Sequence, residues 1–286
     1  MKSPAHRDLQ IDALRDAGDT RRSDAIAVEE PLEIRVMRDG MPEADENGGT
    51  GHSISVTMRT PGNDAELALG FLHGEGVLRE PRDVIDVGAC GPTGNVIRVT
   101  VRADLPLDLA RLTRNFYTTS SCGVCGKASI EAVTAMAAAR RISSDLEVGE
   151  SVLRIMPDTL RAAQREFAET GGVHAVGLFA ASGELLASRE DVGRHNAMDK
   201  LVGASLRAGE IPWTDRVVLL SGRASFELLQ KAMMAGAPMV AAIGAPSTLA
   251  VELAESAGIT LVAFLRHGGC NVYCHPGRVR TMRSHS

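Results

Sequence analysis

The sequence predicts a layered α/β fold preceded by a smaller α+β region, and three observations carry the prediction. From residue 173 onward, short apolar runs alternate with helical stretches of about ten residues, the pattern of a sheet covered by helices. Between residues 26 and 101 the strands instead alternate apolar and polar positions around a single helix, as half-buried strands do. The 286 residues are long enough for one large or two ordinary domains with a real core. The division expected is a mobile tail over 1–24, a small N-terminal α+β domain over 25–115, and a cysteine loop with the α/β domain over 116–286.

The tail is charged, rich in Ala, Asp and Arg, and without sustained periodicity. Ile26–Met37 and Ser53–Arg59 alternate as strands, separated by an acidic, glycine-containing loop. Pro61-Gly62 turns the chain, and Asn63 with Glu66 has the spacing of a capping box for a helix over Asp64–Leu72. Val84–Ala89 and Val96–Val101 read as a strand pair joined through Gly91-Pro92-Thr93-Gly94. An alanine-rich helix is predicted from Lys127 to Arg141, and a second from Pro157 to Phe167. Strands follow at Val173–Ala180 and from Leu185, with a helix over Asn196–Arg207. The strands Val217–Leu220, Met239–Ile243 and Ile259–Leu265 are interleaved with helices Ser225–Met234 and Ser247–Ala257.

Composition excludes several classes. A net charge of −5 argues against a general nucleic-acid binder. No apolar run is free enough of charge to span a bilayer. Five cysteines cannot all pair internally, and with no secretory segment at the start the expectation is a reducing, cytoplasmic setting.

The chemistry centres on Tyr117–Lys127 (YTTSSCGVCGK), where Cys122 and Cys125 stand just before a predicted helix. Unpaired N–H groups and the dipole at a helix N-terminus favour an anion, and a thiolate is one. Four readings compete for this pair. Structural zinc would need further ligands such as Cys270, Cys274 or a histidine; a thioredoxin-like exchanger would need aromatic and proline neighbours that are missing; buried inert cysteines are the plain alternative. A sulfur-handling loop fits the Ser/Thr/Gly setting best.

Three further segments fall at the carboxyl ends of predicted strands, where ligands gather in such sheets. They are Ser221-Gly222-Arg223-Ala224-Ser225, Gly244-Ala245-Pro246-Ser247, and Arg266-His267-Gly268-Gly269. Arginine beside a glycine that admits close backbone approach suits phosphate; the plain alternative is that glycine and serine only turn the chain. Glu190–Lys200 (EDVGRHNAMDK) concentrates charged and amide groups. Asp191 and Arg194 are placed to fix the start of the helix, with His195 and Asn196 facing a ligand; the plain reading is a solvated helix start.

These stretches, with Glu66–Gly76 (ELALGFLHGEG), Ser221–Ala232, Gly236–Ala250 and Phe264–Tyr273, resemble the formate dehydrogenase accessory sulfurtransferase family (FdhD). The resemblance runs from Ile26 to Tyr273, nearly everything after the tail. It implies a cytidine-deaminase-like three-layer α/β/α domain beside a small N-terminal domain, and commonly a homodimer. It also implies a carrier that accepts sulfur from a cysteine desulfurase and passes it to the molybdenum cofactor before that cofactor enters formate dehydrogenase. By the same resemblance Cys122 matches the persulfide cysteine and Cys125 the second cysteine. Phe264, Leu265, Arg266, His267, Gly268 and Gly269 match the segment for the bis-molybdopterin guanine dinucleotide molybdenum cofactor, of which a guanine nucleotide is a partial analogue. His195, Asn196, Ser221 and Arg223 are the further binding candidates; Cys270 and Cys274 leave a metal or redox role open. Two rivals remain. His73-Gly74-Glu75 upstream of Cys122 and Cys125 mimics a zinc deaminase signature, although Ser121 stands where that signature has proline. The other is a non-catalytic chaperone that only binds the cofactor.

Overall fold

The computed structural model describes residues 5–14, 20–41, 51–91, 94–107, 127–139 and 141–281. The chain opens with an antiparallel hairpin, β1 (His6–Ala13) and β2 (Thr20–Ala27), paired from His6–Ala27 to Ala13–Thr20. This corrects the tail expected over 1–24. The hairpin is largely exposed and carries Arg7, Asp8, Asp12, Arg21, Arg22 and Asp24, so its pairing is by backbone and leaves little apolar period to read. His6 Nδ1 lies 3.0 Å from Glu166 Oε2, pinning the hairpin to a later helix.

Next come β3 (Glu30–Arg38), β4 (His52–Arg59), α1 (Asp64–Gly74), β5 (Val84–Cys90) and β6 (Val96–Val101). They build a four-stranded sheet in the order β4-β3-β6-β5, in which only β3 and β6 run parallel. Leu32, Ile34 and Val36 of β3 and Ile97, Val99 and Val101 of β6 face Leu67, Ala68 and Leu72 of α1. The helix starts where predicted, but Asn63 adopts φ 56° and bonds the Glu66 side chain (2.8 Å) rather than forming a capping box.

After α2 (Lys127–Ala139) the second layer system begins. It comprises β7 (Val148–Gly149), α3 (Glu150–Ala163), α4 (Arg165–Thr170), β8 (His174–Ala180), β9 (Leu185–Asp191), α5 (Arg194–Ala208), β10 (Arg216–Leu220) and α6 (Phe226–Met234). These are followed by β11 (Met239–Ala242), α7 (Thr248–Ala257), β12 (Thr260–Arg266), β13 (Gly269–Cys274) and β14 (Val279–Arg280). Six strands form one mixed sheet in the order β13-β12-β11-β10-β8-β9, with β10, β11 and β12 parallel. Alternate residues of each strand separate two cores, as the strand period requires. Val176, Leu178, Val218, Leu220, Val240 and Ala242 pack under α5, α6 and α7; Ala175, Phe179, Val217, Leu219 and Met239 pack under α3. Two expectations shift. Pro157 lies inside α3 rather than opening it, because Leu153, Met156 and Leu160 extend the buried stripe in both directions. Past Leu265 the chain also continues into a β12–β13 hairpin rather than a loop.

The two sheets meet through α1 and α5, which cross at a pair of glycines. A Cβ built on Gly70 would fall 1.8 Å from Asp199 O, and one on Gly203 would fall 1.8 Å from Glu66 O. Arg189 adds a two-pronged bond to Glu66 (2.6 and 2.8 Å) across the same junction.

Candidate functional site

The candidate site is the sheet edge formed by the carboxyl ends of β9, β10, β11 and β12. Its order begins with Asp191, the last residue of β9 and fully buried. One carboxylate oxygen accepts from Gly193 N (2.8 Å) and Asn196 Nδ2 (3.1 Å); the other accepts from Thr60 N (3.1 Å) and lies 2.7 Å from Lys200 Nζ. Lys200 also donates to Thr60 O (2.9 Å). A buried charge pair is tolerated only when its remaining hydrogen-bonding capacity is met, and here it is. The network fixes the turn that launches α5. Asn196 is part of it, donating to Met58 O (2.7 Å) and accepting from Thr57 Oγ1 (3.1 Å), so its amide points into the protein rather than at a ligand as expected.

His195 is half-buried. Its Nε2 lies 2.9 Å from Glu227 Oε2 and 3.3 Å from Ser225 Oγ. Ser225 precedes α6 without its side chain capping that helix, whereas Ser247 caps α7 by accepting from Ala250 N. Ser221 Oγ accepts from Ala175 N (2.9 Å) and ties β10 to β8, leaving its O–H free to donate. The β10–α6 and β11–α7 loops are laced together: Gly244 N donates to Gly222 O (2.9 Å), and Ala224 N to Ala245 O (3.1 Å). A Cβ on Gly244 would lie 2.9 Å from Gly222 O, which is why glycine stands there. Arg223 is exposed beside this lacing and makes no ion pair among the described residues.

The β12 end carries backbone strain. Phe264 has φ 53° and is 39% exposed, at an irregularity of pairing between Ala263 and Arg266. A bulky residue in the left-handed region costs about 1–3 kcal/mol and marks a place where geometry serves something other than stability. Of the neighbours expected to line the site, Arg266 is exposed, Leu265 is buried in the core under α3, and His267 pairs with Asp158 of α3 (2.5 Å). Gly268 and Gly269 have open space where a side chain would be. The edge thus presents Arg194, Arg223 and Arg266, while Asp191 is neutralised by Lys200 and Glu227 faces His195.

Cys122 and Cys125 lie outside the described residues; α2 begins at Lys127, as expected. Cys270 and Cys274 do not form a pair. A bulge between the partners of Leu261 and Val262 turns them to opposite faces, Cys270 toward the α3 core and Cys274 into the α5–α7 core. Burial, helped by Glu255, pushes the Cys274 thiol up to about 11, and its Sγ faces Val251 O at 3.4 Å. At pH 8 such a thiol is roughly 0.1% thiolate, so iodoacetamide should label Cys274 at least about 100-fold more slowly than an ordinary peptide cysteine. Peptide mass mapping over time measures this.

His73 sits buried between two carbonyls, Nδ1 2.9 Å from Leu78 O and Nε2 3.1 Å from Met234 O. Both ring nitrogens face backbone carbonyls. A cleft of about 640 Å³ lies at the opposite end of the six-stranded sheet and is lined by residues such as Asp145, Glu147, Ser182 and Asp215, none of them a candidate. Sequence reasoning missed Thr57, Thr60 and Lys200. Thr60 and Asp191 are 131 positions apart, and no local spacing announces their contact.

Residues 28–280 match the FdhD/NarQ family, and the chain belongs to that family. It is 49% identical to the sulfur carrier protein FdhD of Mycolicibacterium paratuberculosis, over 90% of this chain and 93% of that one. It is 48% identical to the protein of that name from Streptomyces coelicolor, over 93% of each chain. The one from Sulfolobus acidocaldarius is 38% identical over 96% of this chain and 98% of its own. In fold it is similar to a crystal structure from Desulfotalea psychrophila, assigned provisionally as a formate dehydrogenase accessory protein, with TM-score 0.72 and 22% identity, covering 97% of this chain and all of that one.

Proposed function

We propose that this chain is a cytoplasmic, homodimeric sulfur carrier serving formate dehydrogenase, with Cys122 as the group that holds the sulfur. The observation that carries the reading is similarity along nearly the whole chain to proteins named sulfur carrier protein FdhD. The arginine-bearing sheet edge with strained Phe264 supports a phosphate-bearing cargo. In this reading 25–115 and 116–286 are two domains joined at α1 and α5, and the second is cytidine-deaminase-like; helices on both faces of its mixed sheet support that.

The Cys122 thiolate attacks the terminal sulfur of a cysteine desulfurase persulfide, forming Cys122–S–SH and releasing the desulfurase thiol. The bis-molybdopterin guanine dinucleotide molybdenum cofactor is bound as substrate, its phosphates against Arg223 and Arg266. Attack of Cys125 on Cys122 then expels the bound sulfur as sulfide toward the metal and leaves a Cys122–Cys125 disulfide, which cellular thiols reduce. Incubation with desulfurase and cysteine should add the mass of one sulfur atom to the chain, and Cys122→Ala should abolish that gain. Activation of formate dehydrogenase by Cys122→Ala at the wild-type level would refute the role of Cys122. A pure chaperone predicts the reverse pattern, with both cysteine variants active and Arg266→Ala inactive. The zinc-hydrolase alternative is disfavoured by His73, whose two nitrogens both face backbone carbonyls.

A further inference from the structure

Two polar groups at the β9 end of the candidate site, the Arg194 Nε–H and the His174 ring, make no hydrogen bond among the described residues. Arg194 Nε is buried with no hydrogen-bond partner. The half-buried imidazole of His174, at the start of β8, makes no hydrogen bond there either. Both sit at the edge. His174 pairs in register with Asp191, and a Cβ built on Gly222 would lie 3.5 Å from His174 Nδ1. Ser221-Gly222 brings no charge to the ring from β10. The ionisable groups that face it are Arg194 and His195 from α5 and Asp191 from β9, whose carboxylate Lys200 already holds at 2.7 Å.

Burial, then Arg194 and His195, push the His174 imidazole below its ordinary value of 6.5 against the pull of Asp191. The ring is therefore neutral at neutral pH, beside a guanidinium with an unused N–H. An anion arriving at Arg194 would offset the positive charge that keeps the proton off His174, and would offer the ring an acceptor.

We propose that Arg194 and His174 form a phosphate-contacting station at the β9 end of the site, where binding of a phosphate- or pyrophosphate-bearing ligand draws one proton from solvent onto His174. The only covalent change is this proton transfer: an N–H bond forms on the imidazole as the buffer acid gives up its proton, and the proton returns to buffer on release. This rests on the reading that the edge receives a nucleotide-bearing cargo, and it extends that site beyond Arg223 and Arg266.

The test is calorimetric titration of the full chain with GDP, and separately with inorganic pyrophosphate, in two buffers of different ionisation enthalpy. Wild type should take up a substantial fraction of a proton per ligand. Affinity should fall as pH rises from the free-protein value of His174 to its higher bound value, by up to about tenfold per pH unit. Arg194→Gln should weaken binding at least about tenfold, and Arg194→Lys should recover part of the loss. His174→Gln should lose the proton uptake and flatten the pH profile, which separates His174 from titration of the ligand phosphate and of His195. Should that variant fold poorly, the wild-type His174 ring proton resonances give the same answer, because their titration midpoint must rise when GDP is added. Uptake unchanged in His174→Gln, or a His174 midpoint unmoved by GDP, overturns the inference while leaving the nucleotide site standing. Failure of wild type to bind either probe overturns both, whereas sulfur loading of Cys122 tests the carrier role independently.

Discussion

Gly203→Ala should destabilise the protein by at least about 3 kcal/mol, the upper end for overpacked cores and beyond. The added methyl would meet backbone on every side: Glu66 O at 1.8 Å, Glu66 C at 2.7 Å and Gly70 N at 2.8 Å. No rotamer change relieves a clash with main chain, so α1 must move off α5, and with it the contact between the two sheets. Gly70→Ala should behave alike, with Asp199 O at 1.8 Å. Gly209 supplies the contrast. It has φ 73° and nothing within 4 Å, so alanine there meets only the left-handed penalty of about 1–2 kcal/mol. Urea unfolding of the three variants checks the order. A loss of under about 1 kcal/mol in Gly203→Ala would mean that the helices separate easily and the close crossing is not needed.

Lys200→Met should cost about 3–5 kcal/mol, because it leaves the fully buried carboxylate of Asp191 without its counter-charge. For a chain of this size the melting temperature should drop on the order of 10 °C. Adding Asp191→Asn removes the orphaned charge and should restore part of the loss, a coupling that a double-mutant cycle measures. Independent, additive losses would show that the two residues do not act as a pair. The consequence for the site is direct, since the same carboxylate bonds Gly193 N and Asn196 Nδ2 and so sets where Arg194 and His195 emerge.

The legible parts of the sequence were those whose signal is local. β3, β6 and β10 carry their burial in period or in apolar run, so Leu32, Ile34 and Val36, or Val217–Leu220, read correctly as strands. The glycine and serine segments after β10 and β11 did fall at strand ends, because a parallel strand followed by a helix must turn there. The hairpin β1–β2 was illegible because charged side chains cover a structure held by backbone pairing. Cys270 and Cys274, four positions apart, left a metal or redox role open, and the bulge between the partners of Leu261 and Val262 turns them to opposite faces.

By itself, then, the order of residues determined the element types, the strand-end placement of Ser221, Arg223 and Arg266, and the motif set that places the chain among its relatives. Only the tertiary structure decided which polar groups face outward. It turned Asn196 inward to Thr57 and Met58, assigned Lys200 to Asp191, and left the His174 ring and Arg194 Nε without a hydrogen-bond partner among the described residues. The reason is physical: a hydrogen bond is satisfied in space, and the partners that complete the Asp191 network come from β4 and the turn after it, far back in the chain.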